Sequence, residues 1–315
     1  MKTVVTAGEI VVEIMATRIG QTFLEPGPLI GPFPSGAPAI FIDQVGRLGQ
    51  PCGMISSLGA DDFGTLNLER LAASGVDVSA VAVHPGAATG SAFVRYAADG
   101  SRAFVFNIKD SACGLMAMTG AAEALVGRAD HIHVMGSSLF SDGAITVTKA
   151  AVECIKARGG TVSFDPNIRP ELLVGAMREA LEWVAERCDV FLPSGTELFL
   201  FTSAQDEEGA VAELLAAGRS AVVLKKGGDG AVLYDARGRT AVPAFRVEEV
   251  DPTGAGDCFG AGFVCAWLRS ESPAEALRLA NACGALAVTR KGPMEGTRFR
   301  SEIDAFIASQ TGVAA

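Results

Sequence analysis

The residues whose types and spacing could do chemistry are concentrated in the segment 251–262, which reads DPTGAGDCFGAG. Three small residues, 254–256, precede the acid Asp257, and an apolar helical pattern then continues to Leu268. The first turn of such a helix has backbone N–H groups without intrahelical partners, and little side chain would stand in front of them. Such groups, together with the helix dipole, bind anions. The segment therefore predicts an anion-binding turn made by the amides of residues 254–256.

Asp257 is a poor anion ligand but a suitable base. If a γ-phosphoryl group lies over the amides of this turn, the carboxylate can accept the proton of an incoming hydroxyl while the amides stabilise the transferred charge. The alternative is that Asp257 only caps the helix and that the glycines only form a tight turn. A seven-residue pattern is more specific than a lone G-x-G, so the sequence favours phosphoryl transfer.

The composition restricts the partners of the chain. The 315 residues are 49% hydrophobic and carry a net charge of −10, and this negative charge argues against a nucleic-acid partner. An anionic substrate would need a local group that attracts anions in spite of the overall charge. Gly8 and Glu9 interrupt the first apolar run, and we find no stretch that predicts a membrane helix, so we expect a soluble protein of the cytoplasm. The seven cysteines are far apart with no C-x-x-C, which favours reduced thiols over disulfides or zinc.

The elements that would position this turn alternate from about residue 130 onward. Short β-branched runs at 131–134, 161–164, 190–192 and 221–224 are separated by longer helical patterns. This alternation predicts βαβ units, and hence a parallel sheet with helices on both faces.

The first third of the chain has a different pattern. Segments 91–96 and 102–106 flank an Asp-Gly turn at residues 99–100, which predicts a β-hairpin. Residues 17–36 are rich in glycine and proline and predict short extended segments joined by turns. We interpret these regions, from about 12–36 and 88–112, as a small β lid inserted in a single α/β domain over residues 1–312.

With these motifs the chain resembles the ribokinase-like (PfkB) carbohydrate kinases, whose second motif is D-[TP]-T-G-A-G-D followed by a helix. The resemblance covers nearly the whole chain. Further matches are Gly8-Glu9, the early segment 35–39 (SGAPA), the mid-chain segment 164–170 (FDPNIRP) and the strand-turn segment 226–231 (KGGDGA). It implies an α/β fold with a Rossmann-type three-layer core and a small β-sheet lid, and a homodimer formed through that lid.

The resemblance also implies ATP, Mg²⁺, a single in-line transfer and a role for each matching residue. Asp257 would be the base, and Gly254, Ala255 and Gly256 the anion hole. Asp251 and the loop 290–292 would hold a monovalent cation such as K⁺. The implied sugar-binding residues are Glu13, Gly36, Ala37, Ile40, Asn107, Lys109, Arg169 and Asp257. The implied nucleotide-binding residues are Ser194, Glu197, Lys226, Gly227, Gly230, Gly254, Gly256 and Asn281, and the implied metal-binding residues are Asp251, Glu197 and Gly292.

Departures from the family pattern bear on the substrate. Ile40 stands where members often have Asn, Glu13 replaces an Asp, and Ser194 begins an N-x-x-E motif that retains only its acid. Segment 107–112 lacks the arginine of fructokinases and ketodeoxygluconate kinases, which weakens the case for a sugar acid. The side chains that could bind the sugar instead include neutral groups and charges of both signs: Asn107, Lys109, Asp43 and Gln44. We therefore expect the substrate to be a plain ketohexose, D-tagatose or D-fructose.

Several alternatives remain open at this point. Within the family they are 2-keto-3-deoxygluconate kinase, ribokinase, nucleoside kinase and 6-phosphofructokinase; outside it they are a sugar-binding regulatory pseudokinase and a nicotinamide oxidoreductase. The oxidoreductase is disfavoured because no G-x-G-x-x-G follows the first strand. His131 and His133 could be metal ligands, but packing at a strand end is the preferred interpretation. Arg169 could simply anchor a turn, and Glu197 could simply complement a helix dipole.

Overall fold

A computed structural model describes residues 1–99, 101–168 and 175–311. The strands are β1 (Val4–Ala7), β2 (Val11–Ala16), β3 (Leu29–Ser35), β4 (Cys52–Gly59), β5 (Val81–His84), β6 (Gly90–Tyr96), β7 (Arg102–Asn107), β8 (His131–Met135), β9 (Thr161–Asp165), β10 (Val190–Phe191), β11 (Ala221–Lys225), β12 (Ala231–Asp235) and β13 (Gly238–Val242). The helices are α1 (Ala37–Arg47), α2 (Asp62–Ala73), α3 (Gly120–Arg128), α4 (Asp142–Ala157), α5 (Gly175–Ala185), α6 (Glu207–Ala216), α7 (Ala255–Leu268), α8 (Pro273–Ala287) and α9 (Arg300–Thr311).

The main sheet follows the alternation of strands and helices in the sequence. Its nine strands run in the order β13-β12-β11-β10-β9-β8-β1-β4-β5. Strands β11, β10, β9, β8, β1, β4 and β5 are parallel, and β12 and β13 add an antiparallel edge. Because parallel strands need crossover connections, the helices between them cover both faces, as the sequence predicted.

Each face of the main sheet has its own hydrophobic core. On one face α1, α2, α7 and α8 pack on strand residues such as Met54 and Val223. On the other face α3, α4, α5 and α6 pack on residues such as Val162 and Phe191. The alternation of strand side chains between the two cores explains why these strands are apolar at nearly every position.

A second, four-stranded sheet has the order β3-β2-β6-β7. The hairpin predicted around residues 99–100 is confirmed: β6 and β7 pair antiparallel, with Ser91 opposite Asn107 and Tyr96 opposite Arg102. Strand β3 supplies the extended segment expected in the glycine- and proline-rich region. We call this sheet the lid sheet.

The two histidines on β8 belong to the core. Both rings are buried, and His131 Nε2 and His133 Nδ1 each lie 2.7 Å from Ser163 Oγ. The His133 ring stacks on Phe41 at 3.8 Å, and burial lowers the pKa of both imidazoles. The hydrogen bonds that both rings share with Ser163 therefore explain why the two histidines lie on the same side of β8.

The thiols and the helices give two further facts. All seven cysteines are free; Cys154 is exposed and the other six are buried. In the part of the chain that the structure describes, no helix combines the length and apolar character needed to cross a membrane.

Candidate active site

The candidate site lies where the carboxyl ends of two parallel strands meet the start of α7. Asp165 ends β9, Lys225 ends β11, and Asp257 is the third residue of α7. The Lys225 ammonium forms an ion pair with the Asp165 carboxylate. Ligands of open α/β sheets collect at this edge, because the loops that follow the strands converge there.

The turn before α7 adopts the conformation that its glycines permit. Gly254 is the N-cap of α7 with φ 83°, a left-handed conformation that glycine adopts without strain. A Cβ atom there would also lie 2.5 Å from the Pro293 carbonyl oxygen. Residues 255–257 then form the first helical turn, whose N–H groups have no intrahelical acceptors. The backbone thus has the free N–H groups that an anion-binding turn requires, and anion binding by this turn stays a prediction.

Asp257 lies in surroundings that oppose its ionisation. The carboxyl group is 8% exposed, and Asn167 Nδ2 lies 3.5 Å from its Oδ1. Burial, followed by the negative charge of Asp165, raises the pKa of Asp257 to about 8, although Lys225 acts in the opposite direction. A carboxyl group with a pKa near neutrality is suited to accept a proton during a reaction.

The loop between β1 and β2 adds a second buried acid. The Glu9 carboxylate accepts a 2.6 Å hydrogen bond from Ser138 Oγ and interacts with the backbone N–H of Ala37 at the start of α1. Gly36, with φ 110°, allows this approach, since a Cβ atom there would lie 2.5 Å from the Glu9 carbonyl oxygen. Burial raises the pKa of Glu9, and its charge contributes to the raised pKa of Asp257.

One face of the lid sheet carries polar groups toward the 251–253 turn. Arg102 Nη1 donates a 2.8 Å hydrogen bond to Thr253 Oγ1, which joins the tip of the lid to the anion-binding turn. Glu13 is 3% exposed; its Oε2 accepts from Ser35 Oγ at 3.2 Å, and its Oε1 has no hydrogen-bond partner among the described residues. Burial and the charge of Asp251 raise the pKa of Glu13 to about 7.

The two halves of the predicted cation site are adjacent. Asp251 is 1% exposed, and its Oδ2 accepts a 3.0 Å hydrogen bond from the Gly292 N–H. Its Oδ1 accepts from the N–H and the hydroxyl of Thr253, at 3.1 and 2.8 Å. A buried carboxylate beside a loop with backbone carbonyls offers the hard oxygen donors that an alkali cation takes. The contacts of Asp251 thus combine the loop at 292 with the anion-binding turn.

On the predicted nucleotide side, Glu197 is held by the backbone. It is 9% exposed, and its two oxygens accept from the N–H groups of Ile168 at 3.0 Å and Ser194 at 2.7 Å. Burial and the charge of Asp165 raise its pKa, while Lys225 lowers it. Glu197 therefore connects the loop after β9 to the exposed Ser194 at the end of the next strand.

The other residues predicted to bind the nucleotide lie in three different settings. The Lys226 ammonium bonds Glu207 at 2.8 Å, so its side chain is turned away from the Asp165–Lys225 pair. Gly227 is exposed in the tight turn that closes at Gly230. The amide nitrogen of Asn281 donates to the carbonyls of Val242 and Pro243 at 3.1 and 3.0 Å, which fixes that segment beside α8. Contact of these residues with a nucleotide stays a prediction.

Asp43 and Gln44 have a structural role, so the sugar recognition predicted for them is wrong. Both side chains are fully buried. Asp43 pairs with Arg47 and Arg70. Gln44 donates to the carbonyl of Arg298 and accepts from its N–H. Their polar atoms are thus committed to joining α1 to α2 and to the segment before α9.

The remaining predicted sugar residues do not all converge. Ile40 is 2% exposed and packs beneath Gly254. Asn107 bonds Ser91 and lies in the strand row next to that of Glu13, hence on the opposite face of the lid sheet. Asn107 and Lys109 line a cleft of about 640 Å³ formed by segments 61–63, 88–91 and 106–111. Arg169 lies outside the described residues.

Sequence reasoning missed four residues that the structure brings to the site. Asp165 and Asn167 belong to the mid-chain motif 164–170, and that motif could have identified them. The sequence motif indicates Lys226 and not its neighbour Lys225, because nothing in the sequence tells which of the two lysines faces the site. Arg102 was assigned only to a hairpin arm, and the sequence gives no sign that this arm reaches Thr253.

Comparisons with known proteins agree with this geometry. Residues 31–299 match the family described as pfkB family carbohydrate kinase. The chain is 32% identical over 311 residues to Fructokinase-1 of Zea mays, a match that covers 95% of this chain and 96% of that protein.

Solved structures give the same result. A putative Ribokinase II from E. coli, solved in complex with ATP and Mg²⁺, has a TM-score of 0.93 and 51% identity over 98% of this chain and all of that one. A double mutant of the fructokinase from Vibrio cholerae O395, solved with fructose, ADP and a potassium ion, has a TM-score of 0.81 and 26% identity over 98% of each chain. These matches cover between 95% and 98% of the chain.

Proposed function

The chain belongs to the pfkB family of carbohydrate kinases, and from this premise we propose that it transfers the γ-phosphoryl group of ATP to a hydroxyl group of a ketohexose, with fructose as the first candidate. The observation that carries the proposal is the position of Asp257. It is a buried carboxyl group with a pKa near neutrality, in the first turn of a helix that begins with an anion-binding backbone. A base and an anion site within one turn are what transfer of a phosphoryl group to a hydroxyl requires.

The mechanism follows from these two parts. The sugar hydroxyl gives its proton to the Asp257 carboxylate as its oxygen forms a bond with the γ-phosphorus. The bond between that phosphorus and the bridging oxygen breaks on the opposite side, and ADP leaves with its electron pair. The amides of residues 254–256 stabilise the charge on the phosphoryl oxygens during the transfer. Asn167 lies within reach of the Asp257 carboxyl group and orients it.

Two cations fit the residues present. Mg²⁺ takes oxygen ligands and keeps several waters, so Glu197 would hold it together with the phosphates rather than in a protein cage. Among residues 1–99, 101–168 and 175–311 no cluster of three or more His, Cys, Asp or Glu could hold a metal ion. When bound, Mg²⁺ neutralises charge on the phosphates. Asp251 and the loop at Gly292 would hold a monovalent cation such as K⁺.

The choice of a neutral sugar rests on the acids around the site. Glu9, Glu13 and Asp251 are buried near it, and their oxygens suit the hydroxyl groups of a neutral sugar better than the carboxylate of a sugar acid such as 2-keto-3-deoxygluconate. The unpartnered Glu13 Oε1 can instead accept a hydrogen bond from a sugar hydroxyl. Among the relatives, the proteins from Zea mays and Vibrio cholerae carry the name fructokinase.

A panel of substrates tests this proposal. ADP release should be measured with fructose, tagatose, ribose, 2-keto-3-deoxygluconate and a nucleoside at equal ATP and Mg²⁺. We expect kcat/KM to be highest for fructose or tagatose. A sugar acid better by tenfold would contradict the proposal and would direct attention to Arg102 or Arg169 as its partner. No turnover with any acceptor would favour a sugar-binding regulator instead.

We also infer that two copies associate through the lid sheets. Opposite the Glu13 face, Phe23, Leu29, Phe93 and Val105 line a cleft of about 390 Å³ together with the polar residues Gln21, Thr22 and Glu25, and Leu29 and Val105 are 45% and 51% exposed. Apolar surface of this kind on an open sheet is suited to a second copy of the same sheet.

We further propose that the enzyme acts in a reducing compartment such as the cytoplasm, and the seven free cysteines support this proposal.

A further inference from the structure

The ion pair between Lys225 and Asp165 stands inside the site, not beside it. The side chain of Asp165 is 1% exposed and that of Lys225 is 11% exposed. Both residues end parallel strands at the edge where α7 begins. The backbone of Lys225 also bridges to Ser194, on the side assigned above to the nucleotide.

The Lys225 ammonium lies next to the anion-binding turn, because Gly256 has no side chain that would separate them. A Cβ atom added to Gly256 would lie 3.7 Å from Lys225 Nζ, so the ammonium borders the amides that we assign to the phosphoryl group. An ammonium has three donors, and Asp165 occupies one of them. The others can bind a phosphoryl oxygen without breaking the ion pair.

The charges around Lys225 make its presence necessary for an anionic substrate. The negative charge of Asp165 raises the pKa of both Glu197 and Asp257, and Lys225 is the cation that lowers the pKa of both. Its ammonium, which borders Gly256, is therefore placed to offset these carboxylates when the phosphates of ATP bind.

A purely structural role for this pair is the alternative. The ion pair joins the ends of β9 and β11, but β10 already pairs with both strands through the backbone. Buried ion pairs are often no more stabilising than apolar residues of similar size. Stability therefore gives little reason to place a lysine and an aspartate there.

We propose that Lys225 is a catalytic residue of this kinase, whose ammonium, oriented by Asp165, binds the phosphoryl group as it passes from ATP to the sugar. This inference rests on the proposed function. Lys225 keeps its proton throughout: the hydroxyl proton goes to Asp257, and the electron pair of the broken bond goes to ADP. Asp165 is a positioning residue that acts through Lys225.

The test compares four enzymes with the wild type. Lys225→Met removes the cation, and Lys225→Arg keeps the charge with a different geometry. The double variant Lys225→Met/Asp165→Asn removes both charges, so that no buried carboxylate is left unpaired. Lys156→Met is the matched control, since it removes a lysine that pairs with Asp189. Asp189 lies where β10 begins, at the other end of the parallel strands from Lys225.

We expect kcat to fall about 10²- to 10³-fold in Lys225→Met and in the double variant, the range seen when one donor to a transition-state anion is removed. The KM for the sugar should change little, and Lys225→Arg should recover part of the rate. The acid limb of the pH profile should move to higher pH in Lys225→Met, because that variant loses the cation that lowers the Asp257 pKa. Lys156→Met should match the wild type in rate and profile.

A double variant within threefold of the wild type would show that the pair is only structural and would overturn the inference. If Lys225→Met fails to fold, as thermal melting would reveal, the double variant decides alone. A wild-type enzyme without sugar-dependent ADP release would overturn the proposed function as well, whereas an active wild type with an equally active double variant overturns this inference only.

Discussion

Asp257, the base that we propose, owes its raised pKa to its surroundings. Burial and the nearby charges of Asp165 and Glu9 all favour its neutral form, so a proton taken from a hydroxyl is held firmly. The same surroundings would prevent ATP from binding if no cation opposed them. Lys225 and Arg102, one from the core and one from the lid, lower the pKa of Asp257 and so balance the acids.

Replacing this base should abolish turnover but not binding. We expect Asp257→Asn to lower kcat by a factor of about 10² to 10⁴, the usual contribution of a general base, because the amide cannot accept the proton. ADP release at saturating substrates measures kcat, and calorimetry with ATP alone checks binding. A variant that keeps half the wild-type turnover would show that another group is the base.

The raised pKa of Asp257 also predicts the pH dependence. Because only the carboxylate form accepts a proton, kcat/KM should rise as the pH increases, reach half its maximum near the pKa of about 8 and level off above it. Rates between pH 5.5 and 9.5 in buffers of constant ionic strength measure this. The Asp257→Asn variant is the control, since its residual rate should lack that rise. A wild-type profile that is flat from pH 6 to 9 would contradict the assignment.

At the scale of elements, the glycine turn and the helix after it could be predicted from the sequence because their determinants are local. Small residues before an apolar helical pattern define the start of α7, and the two apolar segments on either side of the Asp-Gly pair in the sequence form the paired strands β6 and β7. The strands at 131–134 and 221–224 were also found, since alternation with helices is visible along the chain.

Residues placed by long-range packing could not be predicted in the same way. Lys225 and Lys226 are adjacent, and which ammonium faces the site depends on how β11 sits in the sheet. Asp43 and Gln44 follow a motif assigned to the sugar, yet their partners at 70 and 298 are distant in the sequence. Such contacts are properties of the packed layers, and no local pattern encodes them.

The contact between Asp251 and the loop at Gly292 predicts a dependence on monovalent cations. If this element holds an alkali ion, the ion stabilises the loop against the anion-binding turn, and turnover should increase with K⁺ at fixed ionic strength. Rates in KCl, NaCl and choline chloride of equal concentration measure the effect. Asp251→Asn should respond less to K⁺ than the wild type does. Equal wild-type rates in all three salts would exclude a functional cation at this position.

At the scale of the whole molecule, the net charge of −10 opposes the approach of ATP. The active edge of the main sheet reverses this field locally through backbone dipoles, Lys225 and Arg102. The lid sheet adds the second large-scale feature, because its two faces differ: one carries Glu13 and Arg102, and the other carries the apolar residues Phe93 and Val105.

The apolar lid face predicts the assembly state. We expect the wild type to elute as a dimer in size-exclusion chromatography with light scattering, and Val105→Glu to shift it toward the monomer, because a charge would then be buried between two copies. Val83→Glu is the control, since Val83 is also exposed, at 48%, but lies on β5 of the main sheet. A wild-type monomer at micromolar concentration would contradict the proposal.

The distribution of thiols makes the native enzyme suited to fluorescence spectroscopy. Six of its seven cysteines are buried, and Cys154 on α4 is exposed. A maleimide dye should therefore attach at one position without any cysteine having to be replaced. Because α4 covers the face of the main sheet opposite to α7, a dye there stays away from the catalytic turn. A cysteine introduced at position 99, near the tip of the lid hairpin, would carry a second dye, and energy transfer between the two dyes would report the distance from α4 to the lid in single molecules during turnover.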